Sequence, residues 1–213
     1  MARGYFISFE GMDGSGKSTQ IRRLKQHLEG RGYDVVLTRE PGGTEIGEKI
    51  RTIILDKDHS QMTDLTEAML YAASRAQHVA EVIKPAIDRG QVVICDRFVD
   101  SSIAYQGYGR GLGDSVQKIN DYAIGDYLPD VTFLMKVKPT VSTDRIKHRE
   151  KDRIELEPES FHEAVYRGYE ELEHRFPERI TAIDATRTIE ETEREILKRI
   201  DRLIDRNGTN NSR

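Results

Sequence analysis

Five short apolar runs punctuate the chain: YFISF (5–9), DVVLT (34–38), QVVICD (91–96), VTFLMKV (131–137) and RITAID (179–184). Helical patterns lie between them. This alternation predicts an α/β protein with a mostly parallel, five-stranded sheet carrying helices on both faces. Residues 17–29 read as a helix closed by Gly30 and Gly32. Near the end, Ile189, Ile196, Ile200, Leu203 and Ile204 recur at helical spacing and predict an amphipathic cover helix. The segment 63–88 is different, because Ala68, Met69, Ala72, Ala73, Ala76, Val79 and Val82 make an apolar surface broader than one stripe. Two readings stay open there, a deeply buried core helix and a face shared with another subunit. Pro85 lacks a backbone donor, so the helix should kink or break just before it.

Composition narrows the class. The 213 residues show no internal repeat, linker or low-complexity tract, so 1–213 reads as one domain. Hydrophobic residues make up 37% and charged residues 33%, and the formal net charge is −4, which points away from nucleic acid and anionic membranes as partners. One cysteine, Cys95, excludes an intrachain disulfide framework and a thiol-rich metal site. The start, MARGYFISFEG, is too poor in apolar residues for a signal peptide, and no stretch approaches the ~20 residues of a membrane span. A cytoplasmic location is the expectation.

The chemistry enters at FEGMDGSGKSTQ (9–20). Gly11, Gly16, Lys17 and Ser18 complete the P-loop pattern G-x-x-x-x-G-K-[ST]. Backbone N–H groups of such a loop wrap nucleotide phosphates, with the lysine on the outer phosphates and the hydroxyl on Mg²⁺. Residues Gly11, Met12, Asp13, Gly14, Ser15, Gly16, Lys17, Ser18 and Thr19 are therefore the candidate ATP site. The receiver of the phosphate is either water, as in a switch, or a second small molecule. No guanine-reading N-K-x-D stands in its expected place, and the strand 91–96 ends instead in Asp96 and Arg97. At the carboxyl end of a strand these two face the ligand crevice of a doubly wound sheet, unless they form only a structural ion pair. Tyr71 and Arg75, like Ser102 and Gln106, are four residues apart, so each pair shares a helix side. Together they offer a stacking surface and base-edge hydrogen bonds, or else ordinary surface polarity.

The motifs FEGMDGSGKSTQ, TREPGGT (38–44), YAASRAQH (71–78), DRFVDSSIAYQGYGRG (96–111) and DRIE (152–155) resemble the thymidylate kinase (dTMP kinase) family over nearly the whole chain. The resemblance implies a P-loop NTPase fold and transfer of the γ-phosphoryl group of ATP to dTMP, with Mg²⁺, in dTTP synthesis. It also implies a homodimer, which favours the shared-face reading of 63–88. The rival readings are a kinase of another nucleoside monophosphate or deoxynucleoside, and a nucleotide-hydrolysing switch.

Residue by residue, the resemblance implies that Tyr71 stacks on thymine, Arg75 donates to its O4, and Ser102 and Gln106 line the base edge. Tyr105 lies under the deoxyribose and excludes a 2′-hydroxyl. Arg97 holds the 5′-phosphate, with Arg39 and Glu40 of the REPGG loop nearby. Asp13 lies near acceptor and metal, and Ser18 and Asp96 serve Mg²⁺ directly or through water. Some family members carry an arginine where this chain has Gly14. This chain resembles the other type, in which a lid supplies the cation. The expected lid is 142–157, where Arg145, Lys147, Arg149, Lys151 and Arg153 crowd together, with Arg149 and Arg153 as the candidate catalytic arginines.

Overall fold

The computed structural model describes residues 3–146, 148 and 150–210. Its strands are β1 (Tyr5–Glu10), β2 (Val35–Arg39), β3 (Val92–Asp96), β4 (Val131–Lys136) and β5 (Ile180–Asp184). They form one sheet in the order β2-β3-β1-β4-β5, with every neighbouring pair parallel. Because side chains alternate along a strand, each face collects its own core. Ile7, Phe9, Val92, Ile94 and Phe133 pack against α1 (Lys17–Gly30) and α9 (Ile189–Asn210). Phe6, Val93, Cys95 and Leu134 meet α8 (Glu159–Arg175) through Phe161, Val165, Tyr169 and Leu172. The expected cover helix is α9, whose Ile196 and Ile200 are fully buried.

The segment 63–88 is resolved into two helices joined by a wide turn. It runs as α3 (Asp64–His78), a π-helical turn (Val79–Ile83) and α4 (Lys84–Asp88), following α2 (Glu45–Leu55). The wide turn stands immediately before Pro85, whose ring and missing N–H disturb an α-helical ladder at that point. Both readings of its apolar surface have a counterpart in burial. Ala68, Ala72 and Val79 face the core, whereas Met69, Ala73 and Ala76 lie exposed along the opposite side.

After β3 the chain forms α5 (Val99–Ser102) and a second π-helical segment, Ile103–Gly109, then α6 (Asp114–Ile124). The helix α7 (Pro139–Ile146) follows β4 and opens the expected lid, which returns through a turn at Asp152–Glu155. The Asp152 carboxylate accepts the N–H groups of Ile154 and Glu155 at 2.9 and 3.0 Å, which explains the tight return of the DRIE stretch.

Candidate active site

The chain reverses direction across the sheet beside β1, which adjoins β3 on one side and β4 on the other. At the carboxyl ends of these strands lies a cleft of about 500 Å³. The P-loop forms one wall. Gly11, Gly14 and Gly16 all have positive φ, and a Cβ on Gly11 would lie 2.5 Å from the carbonyl oxygen of Met135. Only glycine fits where the loop passes so close to β4. Lys17 Nζ curls back to donate to the carbonyls of Gly11 and Met12 at 3.0 and 3.1 Å. Burial, and then the nearby Arg97, hold its pKa below the usual lysine range.

The opposite wall is built on Arg97. Its φ of 71° is the only positive value for a non-glycine among the described residues. A side chain in that region costs about 1–2 kcal/mol, so something must hold it. The Arg97 N–H donates to the carbonyl of Phe9 at 2.9 Å, and the next N–H, of Phe98, donates to Glu10 Oε1 at 2.7 Å. The turn throws the guanidinium across the cleft. There it donates to Asp13 Oδ1 of the P-loop at 3.0 Å, and to Ser101 Oγ and Tyr169 OH at 3.1 and 3.2 Å. It also lies 5.3 Å from the ring centre of Tyr105. Asp96 and Arg97 are therefore not an ion pair with each other; the aspartate that Arg97 meets is Asp13.

Fourteen of the predicted residues line this one cleft: Asp13, Gly14, Gly16, Lys17, Ser18, Thr19, Arg39, Glu40, Tyr71, Arg75, Asp96, Arg97, Tyr105 and Gln106. Gly11, Met12 and Ser15 do not; they shape the loop from behind. Ser102 is also off the wall. It is 1% exposed and sits behind Arg75, accepting from Nη1 at 3.0 Å, because that buried guanidinium draws the hydroxyl to itself. This corrects its expected place on the base edge.

Arg75 is more embedded than its sequence position suggests. Nε donates to Glu40 at 2.7 Å, Nη1 to Ser102 and Asn120, and Nη2 to the Phe98 carbonyl at 3.1 Å. A guanidinium has five N–H donors, so one on Nη2 is left for the cleft. Glu40 accepts from Arg75 and from His78 Nδ1, at 2.9 Å, so it orients the base-side arginine rather than meeting a phosphate. Tyr71 lines the same end of the cleft, and burial pushes its phenol above the usual tyrosine range.

One expectation about the lid changes. Arg153 points away from the P-loop: Nε donates to the Ile54 carbonyl at 2.8 Å and Nη2 to Glu67 at 2.7 Å. It clamps the lid to α2 and α3, because a buried carboxylate draws a neighbouring guanidinium inward. Arg149 lies outside the described residues. Among the described residues, Arg145 is a lid cation that reaches the P-loop, its Nη1 donating to the Gly14 carbonyl at 3.2 Å. The neighbouring Ser142 hydroxyl donates to the Asp13 carbonyl. Arg51 was not foreseen. It stands in the cleft with Nη1 on the Pro41 carbonyl at 2.9 Å, close enough to Arg39 for mutual repulsion to add to the burial that lowers its pKa.

The donors for a divalent cation are sparse. Among the described residues no three His, Cys, Asp or Glu side chains gather as a metal cluster. Ser18 and Asp96 both line the cleft, and Asp96 Oδ1 is buried with no hydrogen-bond partner. One hydroxyl and one carboxylate, completed by phosphate oxygens and waters, is the way Mg²⁺ is commonly held.

The thymidylate kinase family model matches residues 9–196. The chain is 50% identical over 206 residues to a thymidylate kinase of Oceanobacillus iheyensis, covering 95% of this chain and 92% of that protein. A thymidylate kinase of Geobacillus thermodenitrificans is 50% identical over 192 residues, covering 88% and 85%. Among solved structures, the thymidylate kinase from Ehrlichia chaffeensis superposes with a TM-score of 0.75 at 34% identity, covering 93% of this chain and 99% of that one.

Proposed function

The chain belongs to the thymidylate kinase family of phosphotransferases, and from that membership and the cleft we propose that it carries the γ-phosphoryl group of ATP to dTMP, giving dTDP and ADP. The observation that carries this reading is the 3.0 Å contact between Arg97 and Asp13. A phosphate-binding cation on the acceptor side and the donor loop meet across one cleft, so the two nucleotides would be held end to end. A hydrolysing switch has no use for the second half.

Phosphoryl transfer needs positioning and neutralisation of charge more than covalent help from the protein. Lys17 and the P-loop amides hold the donor phosphates. Arg97, with Arg39 and Arg51, takes the acceptor phosphate in the fork geometry that suits guanidinium groups. Tyr71, Arg75 and Gln106 receive the base, and Tyr105 packs beneath the sugar. Ser18 and Asp96 would hold Mg²⁺, which would supply neutralising positive charge to the donor phosphates. Arg145 supplies the lid cation. A phosphate monoester is largely dianionic at neutral pH and needs little deprotonation, so Asp13 serves to orient Arg97 rather than as an essential base.

The whole chain would act as one kinase domain with its lid, in the cytoplasm, without nucleic acid or membrane partners. No helix among the described residues is long and apolar enough to cross a membrane. We also propose a homodimer through α3. Leu65, Met69, Ala73 and Ala76 leave an exposed apolar strip on it, joined by Ile46 and Ile53 of α2. Light scattering at micromolar concentration should give about twice 24.4 kDa; a clean monomer would end this part of the proposal. The reaction itself is tested by ADP release against dTMP, dUMP, dCMP, UMP, AMP and thymidine, with dTMP expected to be preferred.

A further inference from the structure

Behind the base wall, four N–H donors converge on one carboxylate. Glu67 of α3 is 1% exposed. Its Oε1 accepts from Gln106 Nε2 at 2.9 Å and from Arg110 Nε at 3.2 Å, and its Oε2 from Arg110 Nη2 at 2.9 Å and Arg153 Nη2 at 2.7 Å. Arg110 is braced in turn by Glu157 at 2.6 Å and lies 4.7 Å from the ring centre of Phe161, so the carboxylate has little freedom to swing. Burial opposes its ionisation, but the hydrogen bonds from Arg110 and Gln106 outweigh it and hold its pKa below the usual glutamate range.

An ionised carboxylate only accepts hydrogen bonds, so it dictates which end of the Gln106 amide turns toward it. The nitrogen must face Glu67. That leaves Gln106 Oε1, buried and without a hydrogen-bond partner, on a residue that lines the cleft. An amide left free would offer either a donor or an acceptor. This one is restricted to an acceptor.

We propose that Glu67 is a specificity-determining positioning residue: by locking the Gln106 amide, it makes the cleft offer an acceptor to the base. Thymine and uracil carry an N3–H that matches this acceptor, whereas the N3 of cytosine is itself an acceptor. To admit cytosine the amide must flip and set its oxygen against the carboxylate. Loss of a charged hydrogen bond of this kind is worth roughly 10- to 150-fold in preference. The inference rests on dTMP being the acceptor, and it assigns to a residue outside the cleft part of the selectivity expected of Arg75.

The test is kcat/KM for dTMP and dCMP in the wild type, Glu67→Gln, Glu67→Asp and the exchanged pair Glu67→Gln with Gln106→Glu. Glu67→Gln should lower the dTMP:dCMP preference at least about tenfold, because the new amide tolerates either orientation of Gln106. Glu67→Asp keeps a charge opposite Arg110 and Arg153 but withdraws from Gln106. It should also relax the preference, and it replaces Glu67→Gln if that variant does not fold. In the exchanged pair the carboxylate at 106 can only accept, so the preference should return. Variants that fold and keep the wild-type ratio, with both rates merely reduced, would make Glu67 a structural clamp and overturn the proposal. A wild type with no preference for dTMP would instead overturn the substrate reading on which it rests.

Discussion

Arg145 donates to the carbonyl oxygen of Gly14 at 3.2 Å and, through its other terminal nitrogen, to that of Ala185 at 3.1 Å. The first helix of the lid is thus seated on the P-loop at the residue where other members of the family carry an arginine. In the proposed mechanism this guanidinium would reach the donor phosphates from outside the loop rather than from within it. Arg145→Ala should therefore depress kcat at least ~10²-fold with little change in dTMP affinity, since cations supplied in this way are worth ~10³–10⁵ elsewhere. Single-turnover rates with both nucleotides saturating measure this, and a near-wild-type rate would remove Arg145 from the chemistry. Arg153→Ala should act differently, lowering the melting temperature more than kcat, because its partners are Ile54 and Glu67.

Arg75 should resist simple truncation. It is 1% exposed and is the cationic partner of Glu40, itself buried. Arg75→Leu leaves that carboxylate with only His78, and breaking a buried pair from one side costs about 3–5 kcal/mol. Denaturant unfolding should show a loss of this order alongside any change in base preference. A loss under about 1 kcal/mol would mean that Glu40 finds another partner.

A pH dependence follows from Glu10. Its carboxylate accepts from the Phe98 N–H, Ser101 Oγ and Tyr169 OH, and burial, reinforced by Asp100, raises its pKa from 4.5 to about 7 against the opposing Ser101 and Arg97. The folded protein therefore keeps a proton that the unfolded chain releases between these two values. Stability falls as pH rises through that window, by an amount on the order of 1–3 kcal/mol. In Glu10→Gln this component should vanish. Melting curves from pH 4.5 to 7.5 should then show the wild type losing ground to the variant as pH rises; parallel curves would contradict the assignment.

Much of this architecture was legible in the sequence because periodicity reports burial directly. All five strands stand where the apolar runs place them, to within a residue at either end. The P-loop and the Asp96–Arg97 strand end were legible for a different reason, since their chemistry depends on backbone position at a strand terminus. Ser102 and Arg153 were misplaced because side-chain direction depends on tertiary context. The buried Arg75 guanidinium holds the Ser102 hydroxyl, and the pull of Glu67 draws Arg153 away from the P-loop. Arg51, Glu67 and Glu10 gave no local signal. Glu10 stands at the end of an apolar run and Glu67 in the first turn of a helix, where acidic residues are ordinary.

The central claim is that the cleft joins an ATP half to a dTMP half, and the fate of the transferred phosphoryl group tests it most directly. The protein would be incubated with γ-labelled ATP, Mg²⁺ and dTMP, and the products separated. The account predicts label in dTDP, with ADP formed one for one and almost none without dTMP. Label released as inorganic phosphate at the same rate whether or not dTMP is present would contradict it.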